Sequence, residues 1–174
     1  MMKLIKYIIN RVYPIKIARP MTKFMMKEHK HNLVGLEIGV HRGEHSYNML
    51  RLLPIKELHL IDPYIPNKID SNHYKKAKRT IKRWNKKAKF VMMKSEFASR
   101  YFVDVDFVYI DGDHSYEGVK KDIEIYYDKV KKGGIIGGHD FCGSCPGVCR
   151  AVIEFVDKNK LTLYSWDKDW WIRI

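Results

Sequence analysis

The stretch from Phe107 to Phe141, FVYIDGDHSYEGVKKDIEIYYDKVKKGGIIGGHDF, constrains the fold more than any other. Phe107 to Ile110 is a short apolar run of aromatic and β-branched residues, and polarity changes abruptly at Asp111, Asp113 and His114. That change is expected where a buried parallel strand reaches the surface. Val119, Ile123, Tyr126, Tyr127 and Val130 then recur at helical spacing, with Lys131 and Lys132 closing the last turn and Gly133-Gly134 as the stop. Ile135-Ile136 starts a second strand ending at His139-Asp140. A strand, a crossover helix and a parallel strand would thus bring acids and imidazoles to the sheet edge where ligands bind.

Two upstream patterns supply that edge with a binding partner. Leu33 to Ile38 reads as the first core strand, and Gly39 to Gly43 as a tight turn before a helix over Glu44 to Leu53. Glycines there let the backbone approach a ligand, and the free N–H groups of the helix start favour a carboxylate or phosphate; steric need alone would also explain them. Glu57 to Ile61 is the second strand, with Asp62 at its end, placed either to accept from ribose hydroxyls or to hold the turn before Pro63. The separation of about 20 residues between turn and acid suits one nucleoside bound across adjacent parallel strands.

A helix from His73 to Trp84 carries Tyr74, Ala77, Ile81 and Trp84 on one face and a dense run of lysines and arginines on the other. A solvated face explains that run better than nucleic acid does, because no stacking aromatics are interleaved with the exposed charge. Lys89 to Met93 is a third strand, followed by Ser95-Glu96 and a short helix to Tyr101. After a helix opened by Pro146 or Gly147, Leu161 to Trp166 and Trp170 to Ile174 read as a hairpin. The order is β-α repeated through five strands, then a helix and an antiparallel pair: an α/β, doubly wound sheet of seven strands, mostly parallel.

At 174 residues and 45% hydrophobic content, the chain suits one domain with a sizeable core. Residues 1–31 read as a basic N-terminal helical extension and 32–174 as the domain proper. Met1 to Val12 has the pattern of a basic amphipathic helix, suited to docking on a membrane surface or, more simply, to packing on its own domain. No apolar run reaches the roughly 20 residues of a membrane span, and the N-terminus lacks a cleavage site of signal-peptide type. The net charge of +13 predicts an anionic partner without specifying nucleic acid, membrane or phosphorylated substrate. Cys142, Cys145 and Cys149 are odd in number and clustered, which favours a reducing, cytoplasmic setting over a disulfide framework. They read as thiols near the site's rim; a zinc site completed by His139 is the alternative.

LEIGVHRGEHS, IDPY and VYIDGDHSYEGVKKDIEIYYDKVKKGGIIGGHDF together resemble the class I S-adenosylmethionine-dependent methyltransferases over Leu33 to Ile174, and the last stretch resembles small-molecule O-methyltransferases acting on catechols and macrolide sugars. The resemblance implies a Rossmann-like fold and S-adenosylmethionine as cofactor. It implies that Glu37, Gly39 and Gly43 serve the methionine part, Asp62 the ribose, Ser95 and Glu96 the adenine side, and Asp111 the region between cofactor and acceptor. It further implies a divalent cation, Mg²⁺ or similar, on Asp111, His139 and Asp140. His139 departs from the carboxylate or amide-paired acid of those relatives and suits a borderline metal or a proton-accepting role. His114 is a second candidate base, while Asp113 reads as a helix cap. The expected activity is O-methylation of a small molecule, sugar or glycan; an RNA methyltransferase and a non-catalytic module keeping the fold are the alternatives. The pattern leaves the oligomeric state open.

Overall fold

The computed structural model describes residues 18–28, 30–65 and 68–174, with the backbone alone at 68–70. The amphipathic pattern of Met1 to Val12 lies outside the described residues. The elements are α1 (Pro20–Met26), β1 (Leu33–Ile38), α2 (Glu44–Leu52), β2 (Ile55–Ile61), α3 (Lys68–Thr80), β3 (Ala88–Val91), α4 (Ser95–Ala98), β4 (Val105–Ile110), α5 (Tyr116–Tyr127), β5 (Val130–Gly138), α6 (Pro146–Asn159), β6 (Leu163–Trp166) and β7 (Asp169–Arg173). One sheet has the order β3-β2-β1-β4-β5-β7-β6. Its first five strands are parallel, and β7 joins β5 and β6 antiparallel. The expected mostly parallel sheet of seven strands with a C-terminal hairpin is therefore the observed one.

The central strands are buried on both faces, which is why they read as continuous apolar runs rather than alternating ones. All six residues of β4 are buried. Their side chains nonetheless alternate: Val108 and Ile110 enter the core beneath α5 and α6 with Ile123, Tyr126, Val148 and Val152. Phe107 and Tyr109 enter the opposite core with Met21 and Met25 of α1 and Met49 of α2. Gly35 of β1 makes this possible, since a Cβ there would stand 2.1 Å from the Phe107 ring.

Several boundaries differ from the sequence expectation: the helix expected over His73 to Trp84 is Lys68–Thr80, the third strand is Ala88–Val91 and not Lys89 to Met93, β6 starts at Leu163 and not Leu161, and the change at β5 has the clearest physical cause. Helix α5 ends at Tyr127, and Val130, Lys131, Lys132 and Gly133-Gly134 belong to β5. Val130 fits both periods, being one turn on from Tyr126 and also the buried first residue of a strand paired with Val105. The glycines form a bulge instead of a helix stop: Val105 pairs with Val130 and Phe107 with Ile135, so two steps on β4 match five on β5. Gly133 takes φ +77°, and a Cβ on Gly134 would stand 2.7 Å from the Asp106 carbonyl oxygen.

Candidate active site

Sheet register sets the site. Ile38 is abreast of Ile61 and Ile110, and Ile110 of Gly138, so β1, β2, β4 and β5 end level. The ladder then continues by one residue on each strand. Gly39 N–H donates to Ile61 O (2.9 Å), Asp62 to Val91 O (3.2 Å), Asp111 to Ile38 O (2.7 Å) and His139 to Ile110 O (3.0 Å). Gly39, Asp62, Asp111 and His139 thus form a row along the carboxyl edge, at the reversal of strand order between β1 and β4 where open α/β sheets bind ligands. Three residues just past these strand ends take left-handed backbone: His41 (φ 52°), Tyr64 (φ 40°) and Asp140 (φ 60°). Such backbone persists only where surrounding contacts hold it.

A cleft of about 770 Å³ opens above Gly39, Asp62 and Asp111 of this row, a volume typical of small-molecule sites. Gly39, Asp62, Ser95, Glu96, Asp111, Asp113 and His114 all line it. A Cβ on Gly39 would stand 2.1 Å from the Asp111 carbonyl oxygen, so glycine is required for β1 and β4 to pass this closely. Asp62 accepts three backbone N–H groups, from Val40 (3.0 Å), His41 (3.0 Å) and Tyr64 (2.9 Å). It therefore holds the glycine turn against β2 and keeps roughly one of its four acceptor positions for a ligand. At the far end, Ser95 Oγ donates to Asp122 Oδ1 (2.6 Å), and Glu96 pairs with Lys121.

Glu37 and Gly43 stand behind the cleft and do not line it. Glu37 is 1% exposed; its carboxylate accepts from Ser46 Oγ and meets His45 Nδ1 at 3.1 Å, bracing the first turn of α2 from below. Gly43 is the N-cap of α2 at φ +78°, where a Cβ would lie 3.3 Å from Ala77 of α3. Asp113 does not cap α5. It accepts from Ser115 N–H (2.9 Å), and Ser115 is the cap, accepting from Gly118 N–H (3.1 Å).

Five titratable groups meet at and beside the rim. His139 Nδ1 lies 3.1 Å from Asp140 Oδ1 and 3.8 Å from Asp111 Oδ1. His114 Nε2 lies 3.2 Å from Asp140 Oδ2 and 3.7 Å from Asp111 Oδ1. Arg19, preceding α1, donates to Asp111 Oδ2 (2.7 Å) and to Tyr109 OH (3.0 Å). Burial opposes ionisation of Asp111, but the nearby His114 imidazole and the Arg19 guanidinium outweigh it and hold the carboxyl below its usual range. The carboxylates of Asp111, first, and Asp140 raise the His114 pKa despite partial burial. Burial also pushes Asp122 up to about 6, against the lowering effect of Ser95.

Asp111, His139 and Asp140 can each offer one ligand atom, all within 4.8 Å of one another. Two carboxylates and an imidazole fit a divalent cation, and the imidazole favours a borderline metal over Mg²⁺. Because Arg19 holds Oδ2, Asp111 would contribute Oδ1 alone. Sequence reasoning missed Arg19 and Asp122. Asp122 was visible as an acid one turn from Gly118 and Val119 on the expected helix, but Arg19 lies 92 positions from its partner with no local signal.

A glycine turn after the first strand, an acid after the second and acids and an imidazole after the fourth line one cleft, and His139 and Asp140 after the fifth stand beside it without lining it; together they define the class I methyltransferase type of doubly wound domain. The chain belongs to the family described as "Methyltransferase domain", whose model matches residues 36–141. A curated relative, an uncharacterized protein of Acanthamoeba polyphaga mimivirus, is 29% identical over 147 residues, which is 78% of this chain; the chain spans 65% of that relative's length. Among solved structures, an O-methyltransferase from Bacillus cereus in complex with SAH superposes with a TM-score of 0.71 at 12% identity, covering 97% of this chain and 96% of that one. A TDP-rhamnose 3'-O-methyltransferase of calicheamicin biosynthesis superposes with a TM-score of 0.62 at 15% identity, covering 88% of this chain and 75% of that one. At these identities the likeness is one of fold. Among the described residues no helix is long and apolar enough to cross a membrane.

Proposed function

We propose that this chain catalyses S-adenosylmethionine-dependent methylation of a hydroxyl oxygen on a small molecule or glycan. The observation that carries the reading is the convergence of Gly39, Asp62, Ser95, Glu96 and Asp111 on one cleft whose rim holds His114, with His139 and Asp140 beside it. The SAH bound by the Bacillus relative supports the cofactor, and the sugar acceptor of the calicheamicin relative supports a sugar hydroxyl.

S-adenosylmethionine supplies a methyl group already activated by a sulfonium. The protein's share is then to orient the acceptor and take its proton. Asp62 offers its remaining acceptor position to ribose hydroxyls, and Ser95 and Glu96 flank the adenine end. Glu37 acts from behind by fixing the start of α2. His139, oriented by Asp140, is assigned the hydroxyl proton; His114, held toward its cationic form by Asp111, balances the two carboxylates. A divalent cation on Asp111, His139 and Asp140 is the alternative to that base: it would lower the acceptor's pKa there, with His139 then a ligand and not the proton acceptor. Calorimetry with the purified chain tests the reading first: no saturable binding of S-adenosylmethionine would sink it. Transfer of labelled methyl to sugar-hydroxyl acceptors tests the second half, and an Asp111→Ala chain that keeps its biological activity would point to a non-catalytic module instead.

One observation favours a nucleic-acid acceptor as second reading. Tyr47, Arg51, Arg83 and Trp84 line a separate groove of about 470 Å³. The Tyr47 and Trp84 rings meet edge-on with centroids 4.9 Å apart, and Arg51 and Arg83 stand over them. Aromatics are therefore interleaved with part of the basic run after all, because Tyr47 comes from another helix. RNA binding that weakens steeply with salt and is lost in Arg83→Glu would support this reading; salt-insensitive or absent binding would remove it.

A further inference from the structure

The loop after β5 folds back on itself immediately beyond the active-site edge. Cys142 N–H donates to Asp140 O (2.8 Å) and Cys145 N–H to Cys142 O (2.9 Å). Cys149 Sγ donates to the same Cys142 oxygen (3.4 Å), which leaves that sulfur committed to the loop. These turns bring Cys142 Sγ, Cys145 Sγ and a carboxylate oxygen of Asp140 within 4.8 Å of one another, all three residues half-buried. Ser144 Oγ lies 3.1 Å from Cys142 Sγ and 3.9 Å from Cys145 Sγ, so both sulfurs converge on one hydroxyl. The three cysteines are free thiols.

We propose that Cys142, Cys145 and Asp140 form a binding site for a thiophilic divalent cation of the Zn²⁺ type, separate in chemistry from the Asp111, His139 and Asp140 set and sharing only Asp140 with it. With metal–sulfur bonds of about 2.3 Å, tetrahedral thiolates stand about 3.8 Å apart, so closing on an ion needs the loop to contract by at most about 1 Å. Binding releases the two thiol protons to solvent. Thiolates select zinc-like ions over Mg²⁺, which gives the two sets different preferences on one loop. With Cys149 turned to the backbone, the protein supplies three ligands and leaves a fourth position open. The consequence reaches the reaction through Asp140: an ion on its thiol side fixes the carboxylate that meets His139 at 3.1 Å and His114 at 3.2 Å.

The site does not depend on the methyl-transfer reading, and cofactor binding by calorimetry is scored separately from it. The test uses the full chain, reduced and stripped of metal, titrated with Co²⁺. About one equivalent should raise a sulfur-to-cobalt charge-transfer band in the near ultraviolet, bleached by Zn²⁺ and untouched by excess Mg²⁺. Cys142→Ser and Cys145→Ser should each abolish the band, while Cys149→Ser and His139→Ala keep it. Absence of the band in the unaltered chain, or its survival in Cys142→Ser and Cys145→Ser, overturns the proposal.

Discussion

At the residue scale, Asp111 is where the site's parts meet. It lines the cleft, accepts from Arg19 and faces both histidines. Asp111→Asn should lower kcat by about two orders of magnitude, the scale of losing the alignment of reacting groups; kcat near that of the unaltered enzyme would remove it from the chemistry. Asp122 makes a pH-dependent contribution. Burial lifts its carboxyl to about 6 in the folded state, so the fold holds this proton more tightly than the unfolded chain does. The stability gained is complete below the ordinary carboxylate range and is lost as pH rises through about 6, on the order of 3 kcal/mol in all. Asp122→Asn, which keeps an acceptor for Ser95, should therefore be more stable than the unaltered chain at pH 8 and show a flatter profile between pH 4 and 8. Parallel denaturation profiles for the two proteins would contradict this.

At the scale of elements, two glycines with similar backbone angles have different reasons to be glycine. Gly39 has φ +82° and its absent Cβ makes room for the Asp111 carbonyl, whereas Gly133 has φ +77° and open space around it. Gly133→Ala should cost about 1 to 2 kcal/mol, the expense of a left-handed backbone alone. Gly39→Ala adds overpacking between two strands and should cost a further 1 to 3 kcal/mol, with loss of cofactor affinity because the turn and Asp111 move together. Urea denaturation of the two variants checks the order; equal losses would show that the close strand approach is not what requires Gly39. The β5 boundary teaches a related point. Val130 satisfies helical and strand periodicity at once, and its pairing with Val105, not its spacing from Tyr126, decides between them.

At the scale of the whole molecule, one buried carboxylate ties the beginning of the described chain to its end. Asp169, at the start of β7 and 0% exposed, accepts from Met21 N–H (2.9 Å) and Tyr109 OH (2.8 Å). Tyr109 in turn accepts from Arg19, so the hydrogen bonds run from the hairpin through β4 to Asp111. Asp169→Ala would strand a buried N–H and a buried hydroxyl, at about 1 to 3 kcal/mol each. It should lower stability by roughly 2 to 6 kcal/mol and also reduce kcat, since Arg19 loses its anchor. Unchanged kcat in a folded Asp169→Ala protein would show that Arg19 holds Asp111 unaided.

The sequence alone determined the order of strands and helices, the row Gly39, Asp62, Asp111 and His139, and the acids and imidazoles of the rim, because each of these rests on a short-range signal. An apolar run ending in a polar residue marks a strand end wherever the chain goes. Only the tertiary structure decided that Glu37 and Gly43 stand behind the cleft, that Arg19 competes for Asp111, that Asp122 is buried beside Ser95, and that two cysteines and Asp140 share one corner. Those are contacts between distant segments or directions of single side chains, and they follow from sheet register and helix packing, which no local pattern encodes.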